Sequence, residues 1–177
     1  MTRPPSPYDS LPPVPAFSVT SSDITHGEKL AMPQVSGIFG AGGEDVSPQL
    51  SWSGFPAETK SFVVTCFDPD APTGSGFWHW VVYDISATTT ELETNAGAQD
   101  GSGLPDGAHQ LNNDAGLRGY LGSAPPEGHG PHDYIFAVHA LSIESLPIDD
   151  SATAAICGFN MFGQTIARAV ITPYNER

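Results

Sequence analysis

Basic residues are scarce. The 177-residue chain has 6 Lys and Arg against 20 Asp and Glu, a formal charge of -14, and the basic six (Arg3, Lys29, Lys60, Arg118, Arg168, Arg177) nowhere cluster. Such a surface repels nucleic acid and anionic membranes, which excludes both as partners. Cysteine is nearly missing as well. Cys66 and Cys157 alone cannot form a disulfide framework, and two buried free thiols are a simpler reading than one bridge. No stretch approaches the ~20 apolar residues of a membrane span. The N-terminal segment MTRPPSPYDSLPPVPAF also lacks the apolar run of a secretory leader. These absences lead to the expectation of a soluble, cytoplasmic protein without membrane insertion.

Glycine and proline are plentiful, at 19 and 17 residues, which favours many turns and few long helices. Aromatic and β-branched residues supply a core, so the composition predicts a mainly β protein. A chain of this length is expected to form one domain spanning 1–177. Residues 1–16, with six prolines, read as an extended arm, packed or frayed, rather than a recognition segment.

Along the chain, SFVVTCF (61–67) has strand composition and stops where Pro69 and Pro72 remove ladder donors, placing Asp68 at a strand end. In FWHWVVYDI (77–85) a period of two puts Phe77, His79, Val81, Tyr83 and Ile85 on one face and Trp78, Trp80 and Val82 on the other. Both faces are apolar, which predicts a central strand. HDYIFAVHAL (132–141) reads likewise, with His132 and Tyr134 pointing the same way. The Gly, Asn and Asp-rich connection 95–116 is long, and the spacing of Asp100, Asp106 and Asp114 does not match a calcium loop. After Cys157 and Gly158, Phe159, Phe162, Ile166 and Val170 recur every three or four residues. That spacing predicts an amphipathic helix over 159–171, packed on the sheet.

Two segments carry chemistry: DPDAP (68–72), shortly followed by His79, and GYLGSAPPEGHGPHDYIF (119–136). Imidazoles, a phenol and the amides of a glycine-rich turn can hold an anion without any Lys or Arg. The prolines stiffen the frame, so little ordering entropy remains to be lost on binding. A carboxylate beside an anion makes sense as the acceptor that orients one imidazole, the role expected for Asp68. Asp70 is expected to cap amides of its own turn. Other readings remain: His79 as a satisfied core histidine, or His79, His132 and a carboxylate as a metal site or an acid–base pair. Serine catalysis has no G-x-S-x-G elbow to support it. His129 reads as exposed, and His26, His109 and His139 have no evident partner.

In this order and spacing, the segments resemble the phosphatidylethanolamine-binding protein family, in particular its short bacterial branch. The resemblance runs from about Val19 to the C-terminus. It implies an antiparallel β-sandwich-like fold with a few short helices and a small cavity for phosphate-type anions. The family's pocket residues fall on Asp68, His79, His132 and Tyr134, with backbone contributions from the 122–124 turn at Gly122 and Ala124. Pro72, Pro125 and Pro126 would shape the rim. Asp133, where many members carry Arg, and Ala124, where Gly is frequent, depart from the pattern. The function implied is non-enzymatic binding of a phospholipid headgroup, phosphomonoester or nucleotide, with no metal or cofactor. The alternative is inhibition of a kinase or protease through protein contact. An enzymatic role ranks last. Homodimerisation is an analogy with bacterial relatives only.

Overall fold

A computed structural model describes residues 5–177; residues 1–4 of the proline-rich arm lie outside it. In chain order the elements are β1 (Ser18–Thr20), β2 (Leu50–Ser53), β3 (Ser61–Asp68), β4 (Phe77–Ser86), β5 (Glu91–Leu92), β6 (His109–Gln110), β7 (His132–Asp133), β8 (Ile135–Leu141), α1 (Ala154–Met161), β9 (Thr165–Ile171) and β10 (Tyr174–Asn175). A five-stranded antiparallel sheet, ordered β6-β4-β3-β8-β9, carries a three-stranded sheet β1-β2-β5 on one face. Helix α1 covers the other. The mainly β architecture expected from composition, and the antiparallel sheets that the resemblance implies, are what form.

Strand β3 is buried along its whole length because its alternating side chains feed two cores. Phe62, Val64 and Cys66 pack with Phe136 and Val138 of β8 against Leu50, Trp52 and Leu92 of the small sheet. On the reverse face, Val63 and Leu141 meet Ala154, Cys157 and Met161 of α1. The two cysteines are both buried and free. They belong to cores on opposite faces of the sheet, and Cys157 lies within α1 rather than before it.

The strict alternation expected along β4 fails at two bulges. Cys66 pairs with Trp80 and Phe67 with Trp78, so His79 is an extra residue; a second irregularity falls where Phe62 pairs Ile85 and Val64 pairs Val82. Asp84, inside the second, takes φ 57. Trp80, Val82 and Ile85 consequently share one core, while Val81, Tyr83 and the half-buried Trp78 turn to the other. Val81 and Tyr83 are therefore not on the face of His79. A bulge bends its strand and re-aims a side chain, and here it presents His79 at the strand's opening end.

The helix near the C-terminus is present, but its span differs from the expectation. It covers Ala154–Met161, with Thr153 Oγ1 accepting from the Ile156 amide at 3.2 Å. Gly163 at φ +80 then turns the chain, and TIARAVI becomes edge strand β9. Its alternate residues Ala167, Ala169 and Ile171 join the main core, and β8 supplies the ladder partners. Sheet pairing and a period of two outweigh the coincidental three-to-four spacing. Phe159 and Phe162, expected to pack, are 78% and 65% exposed.

Residues 15–17 of the arm run parallel to β9, with the Arg168 amide donating to Pro15 O at 3.0 Å. Beneath the arm, His139 has the partners that its sequence context hides. Arg168 Nε donates to His139 Nδ1 at 3.0 Å, so the ring is neutral and its Nε2–H is directed at Thr65 Oγ1, also 3.0 Å away. Burial, and then the Arg168 charge, hold the His139 pKa well below the ordinary value. An unfolded imidazole titrates near 6.5. Below that pH the unfolded chain takes up a proton that the folded one refuses. Stability is thus complete above about pH 6.5 and lost as pH falls toward the folded value. Melting curves are expected to show this loss between about pH 6.5 and 5, at up to ~1.4 kcal/mol per pH unit for this histidine. The slope should be shallower in His139→Asn; an unchanged slope would place the acid sensitivity elsewhere.

Candidate functional site

At one end of the sheet, the ends of β3 and β4, the start of β7 and the 121–126 turn enclose a cavity of about 140 Å³ lined by Asp68, Pro72, His79, Gly122, Ala124, Pro125, Pro126, His132 and Tyr134. All six residues singled out from the sequence as ligand-binding (Asp68, His79, Gly122, Ala124, His132, Tyr134) line it. Three segments far apart in the chain meet there.

Asp68 is the pivot. It is buried, its Oδ2 accepts from His132 Nδ1–H at 2.8 Å, and its Oδ1 accepts from the Asp70 amide at 2.8 Å. It therefore orients an imidazole and closes its own turn. Asp70 reaches across instead, accepting from the Asp133 amide at 2.8 Å. The turn-capping role expected for Asp70 belongs to Asp68, and Asp70 ties the DPDAP loop to β7. A charge-assisted bond between buried groups fixes ring orientation far better than a solvated one.

His79 uses its other partner type. Its Nδ1 lies 2.8 Å from Leu121 O, and since a carbonyl only accepts, Nδ1 carries the proton. Nε2 is the nitrogen left for an occupant of the cavity. Burial lowers the His79 pKa, only partly offset by the Leu121 carbonyl and the Asp68 charge, so near neutral pH the ring is uncharged and Nε2 holds a lone pair. The ring stands edge-on to Tyr134, with centroids 5.2 Å apart.

Tyr134 is 1% exposed, yet its hydroxyl makes no hydrogen bond of normal geometry. Burial and then the Asp68 charge raise its pKa, so it is a neutral O–H donor. The Asp68 carboxylate and Ala124 amide are near enough to perturb it without meeting that geometry. A buried, unsatisfied hydroxyl costs about 1–3 kcal/mol, a cost that an acceptor in the cavity would remove.

The two backbone positions divide. The Gly122 amide donates to Asp45 Oδ1 at 2.8 Å and is not a free donor, contrary to the role expected for it. Ala124 has no carboxylate partner of this kind among the described residues and its φ is not positive; its amide lies beside the Tyr134 hydroxyl. Gly122 is required for a different reason. A Cβ there would stand 2.4 Å from Val35 C and 2.5 Å from Ser36 N, because the 35–45 loop crosses at backbone contact. Asp45, itself at φ 55, staples that crossing by also accepting from the Gly37 amide at 2.8 Å.

Three participants escape the sequence reading. Asp45 sits in an unremarked glycine-rich loop. Phe39, 60% exposed, lines the mouth. His129 is exposed as expected, but its Nδ1 lies 2.7 Å from His132 Nε2. With His132 Nδ1–H committed to Asp68, a neutral His132 accepts there from His129. The i, i+3 spacing of the two histidines was the one available signal. Among the described residues, no group of three His, Cys, Asp or Glu side chains is placed to hold a metal ion.

The chain is thus a mainly β protein of two packed antiparallel sheets with a small cavity of imidazoles, phenol and amide at a strand end, framed by prolines. The chain belongs to the phosphatidylethanolamine-binding protein family, whose profile matches residues 20–175. Its relatives include Escherichia coli YbcL, 50% identical over 161 residues, covering 91% of this chain and 88% of YbcL. Escherichia coli YbhB is 49% identical over 159 residues, covering 88% of this chain and 98% of YbhB. The crystal structure of YbcL, described as a new member of the mammalian PEBP family, superposes with a TM-score of 0.89 at 49% identity, over 91% of this chain and 98% of that one. A carboxypeptidase Y inhibitor solved with its cognate proteinase shares the fold, with a TM-score of 0.53 at 20% identity over 92% of this chain and 84% of that one. No helix among the described residues is long and apolar enough to cross a membrane.

Proposed function

We propose that the protein is a non-enzymatic receptor for phosphate-type dianions, whether carried by a phosphomonoester, a nucleotide or a phospholipid headgroup. The observation that carries this reading is the donor set converging on one cavity of about 140 Å³ without a single Lys or Arg in its lining. The Tyr134 hydroxyl, the Ala124 amide and a protonated His79 Nε2 would donate, while Asp68 holds His132 in place. One observation argues for binding over chemistry. The Asp68–His132 pair has the form of an acid–base couple, but the outer nitrogen of His132 meets His129 rather than a hydroxyl or thiol nucleophile.

The proton on His79 gives the test its sign. The free ring is neutral near pH 7, and a dianion favours its charged form, so binding takes up a proton. Sulfate is the suitable probe because it stays a dianion between pH 6 and 8. Calorimetry is expected to show sulfate affinity rising from pH 8 to pH 6 by up to about tenfold per unit, the limit for one linked proton. Affinity that is flat, or that falls toward pH 6, would remove His79 from the donor set.

A further inference from the structure

A second and larger cavity, of about 260 Å³, lies on the α1 face of the main sheet. The arm forms one wall through Tyr8, Leu11, Pro12 and Val14, α1 forms another, and Val81 and Trp78 of β4 form the floor. Its walls are almost entirely carbon. It exceeds the ~150 Å³ of a cavity that holds benzene, which leaves room for a hydrocarbon ligand larger than that six-carbon ring. Phe162 and Leu11 line it although 65% and 39% exposed, so the apolar surface continues outward at its mouth.

One end is polar and positively charged. The half-buried Arg168 lines the cavity, its guanidinium carbon lies 4.4 Å over the Tyr8 ring, and its Nε is anchored on His139. His139 leads on to Thr65, and Thr65 Oγ1 lies 3.0 Å from Tyr8 Oη. Every group in that chain is neutral except Arg168: His139 is held deprotonated, and burial pushes the Tyr8 phenol up to about 12. Among the described residues no carboxylate pairs with Arg168, in a chain with 20 acidic residues. A partly desolvated cation without a counter-charge is costly, and a monoanion neutralises it where a dianion would leave excess charge.

We infer that this cavity is a second binding site, for a single-chain amphiphile with a monoanionic head, the carboxylate lying on Arg168 and a medium-length hydrocarbon chain between the arm and α1. Shape, apolar lining and the lone cation select the same chemistry. Octanoate is the probe. Calorimetry on the full chain is expected to show one octanoate bound per protein, with octylamine not binding and saturating sulfate not competing. The sulfate arm separates this site from the anion cavity at the strand end, so either can fail alone.

Arg168→Gln is expected to weaken octanoate binding tenfold or more. Gly158 of α1 lines the cavity with nothing within 4 Å of an added Cβ. Gly158→Leu is thus expected to obstruct it and abolish binding without lowering the melting temperature, which keeps the test decisive if Arg168→Gln fails to fold. Octylamine binding as tightly as octanoate, octanoate binding unaltered in folded Arg168→Gln or Gly158→Leu, or no octanoate binding at all would overturn the inference. So would sedimentation showing a concentration-dependent dimer that octanoate dissociates, which would assign the cavity to a second copy of the chain.

Discussion

Gly122→Ala is expected to destabilise the protein by about 3 kcal/mol or more, the upper range for overpacking where neither side can yield. The added methyl would stand 2.4–2.6 Å from the backbone of Val35 and Ser36. Backbone atoms cannot rotate away as a side-chain tip does. That crossing is also held by the Ser36 amide donating to Ser123 O at 3.0 Å and the Ser123 amide donating to Gln34 O at 3.1 Å. For a domain of this size the loss corresponds to a fall of roughly 6–12 °C in melting temperature. Gly158→Ala is the control, because its Cβ would enter open space and Ala exceeds Gly in helix propensity by about 1 kcal/mol. Thermal melts should separate the two variants in opposite directions. Equal melting temperatures would mean that the 35–45 loop does not press on the 121–124 turn.

The second large effect concerns binding. His79→Asn keeps an N–H at the position of Nδ1 that can reach Leu121 O but presents no donor, charged or neutral, at the position of Nε2. Sulfate affinity at pH 6 is expected to fall by about 1.5–3 kcal/mol, the range for a hydrogen bond to a charged group, or roughly tenfold to 150-fold. His132→Ala is the less informative change. It leaves the Asp68 carboxylate, 3% exposed, without its imidazole, and breaking a buried pair on one side costs about 3–5 kcal/mol of stability. Lost binding in that variant would be confounded with lost structure. Calorimetry on His79→Asn, checked by an unchanged melting curve, avoids the confusion. Undiminished affinity there would show that the bulge at His79 serves packing alone.

The strand composition of 61–67, 77–85 and 132–141 was legible because β-branched and aromatic runs between glycine and proline punctuation leave few alternatives. The cavity residues were legible for another reason: DPDAP, His79 and the 119–136 segment resemble a known family in order and spacing, and that resemblance, together with the anion-holding chemistry of imidazole, phenol and amide groups, singled out Asp68, His79, His132 and Tyr134. What failed depended on contacts distant in sequence. The bulge that frees His79 arises from how β4 registers on β3, which no local pattern encodes. Asp68 and Asp70 stand two residues apart among prolines, and only the position of β7 decides which one caps the turn and which crosses. The Gly122 amide looked available until the 35–45 loop placed Asp45 against it. In the final segment, Phe159, Phe162, Ile166 and Val170 imitate a helical stripe. The alternation of Ala167, Ala169 and Ile171 on the other side was the true signal, visible only once β8 offered an edge.

On the proposed reading, the cavity works with little charge: the His79 imidazole would take the place of the arginines that such a site would ordinarily employ, which would make occupancy depend on protons. Asp68 would increase the repulsion felt by a dianion while it fixes the His132 ring. Tyr134 contributes a donor whose hydrogen bond the fold itself leaves unmade.

Imidazole ¹⁵N spectra recorded at pH 7 during a sulfate titration test the central claim most directly. The account predicts that His79 Nε2 moves from the unprotonated to the protonated range as sulfate is added, while the Nδ1–H bond from His132 to Asp68 persists. Sulfate that binds while both rings keep their original resonances, or that does not bind at all, would contradict it.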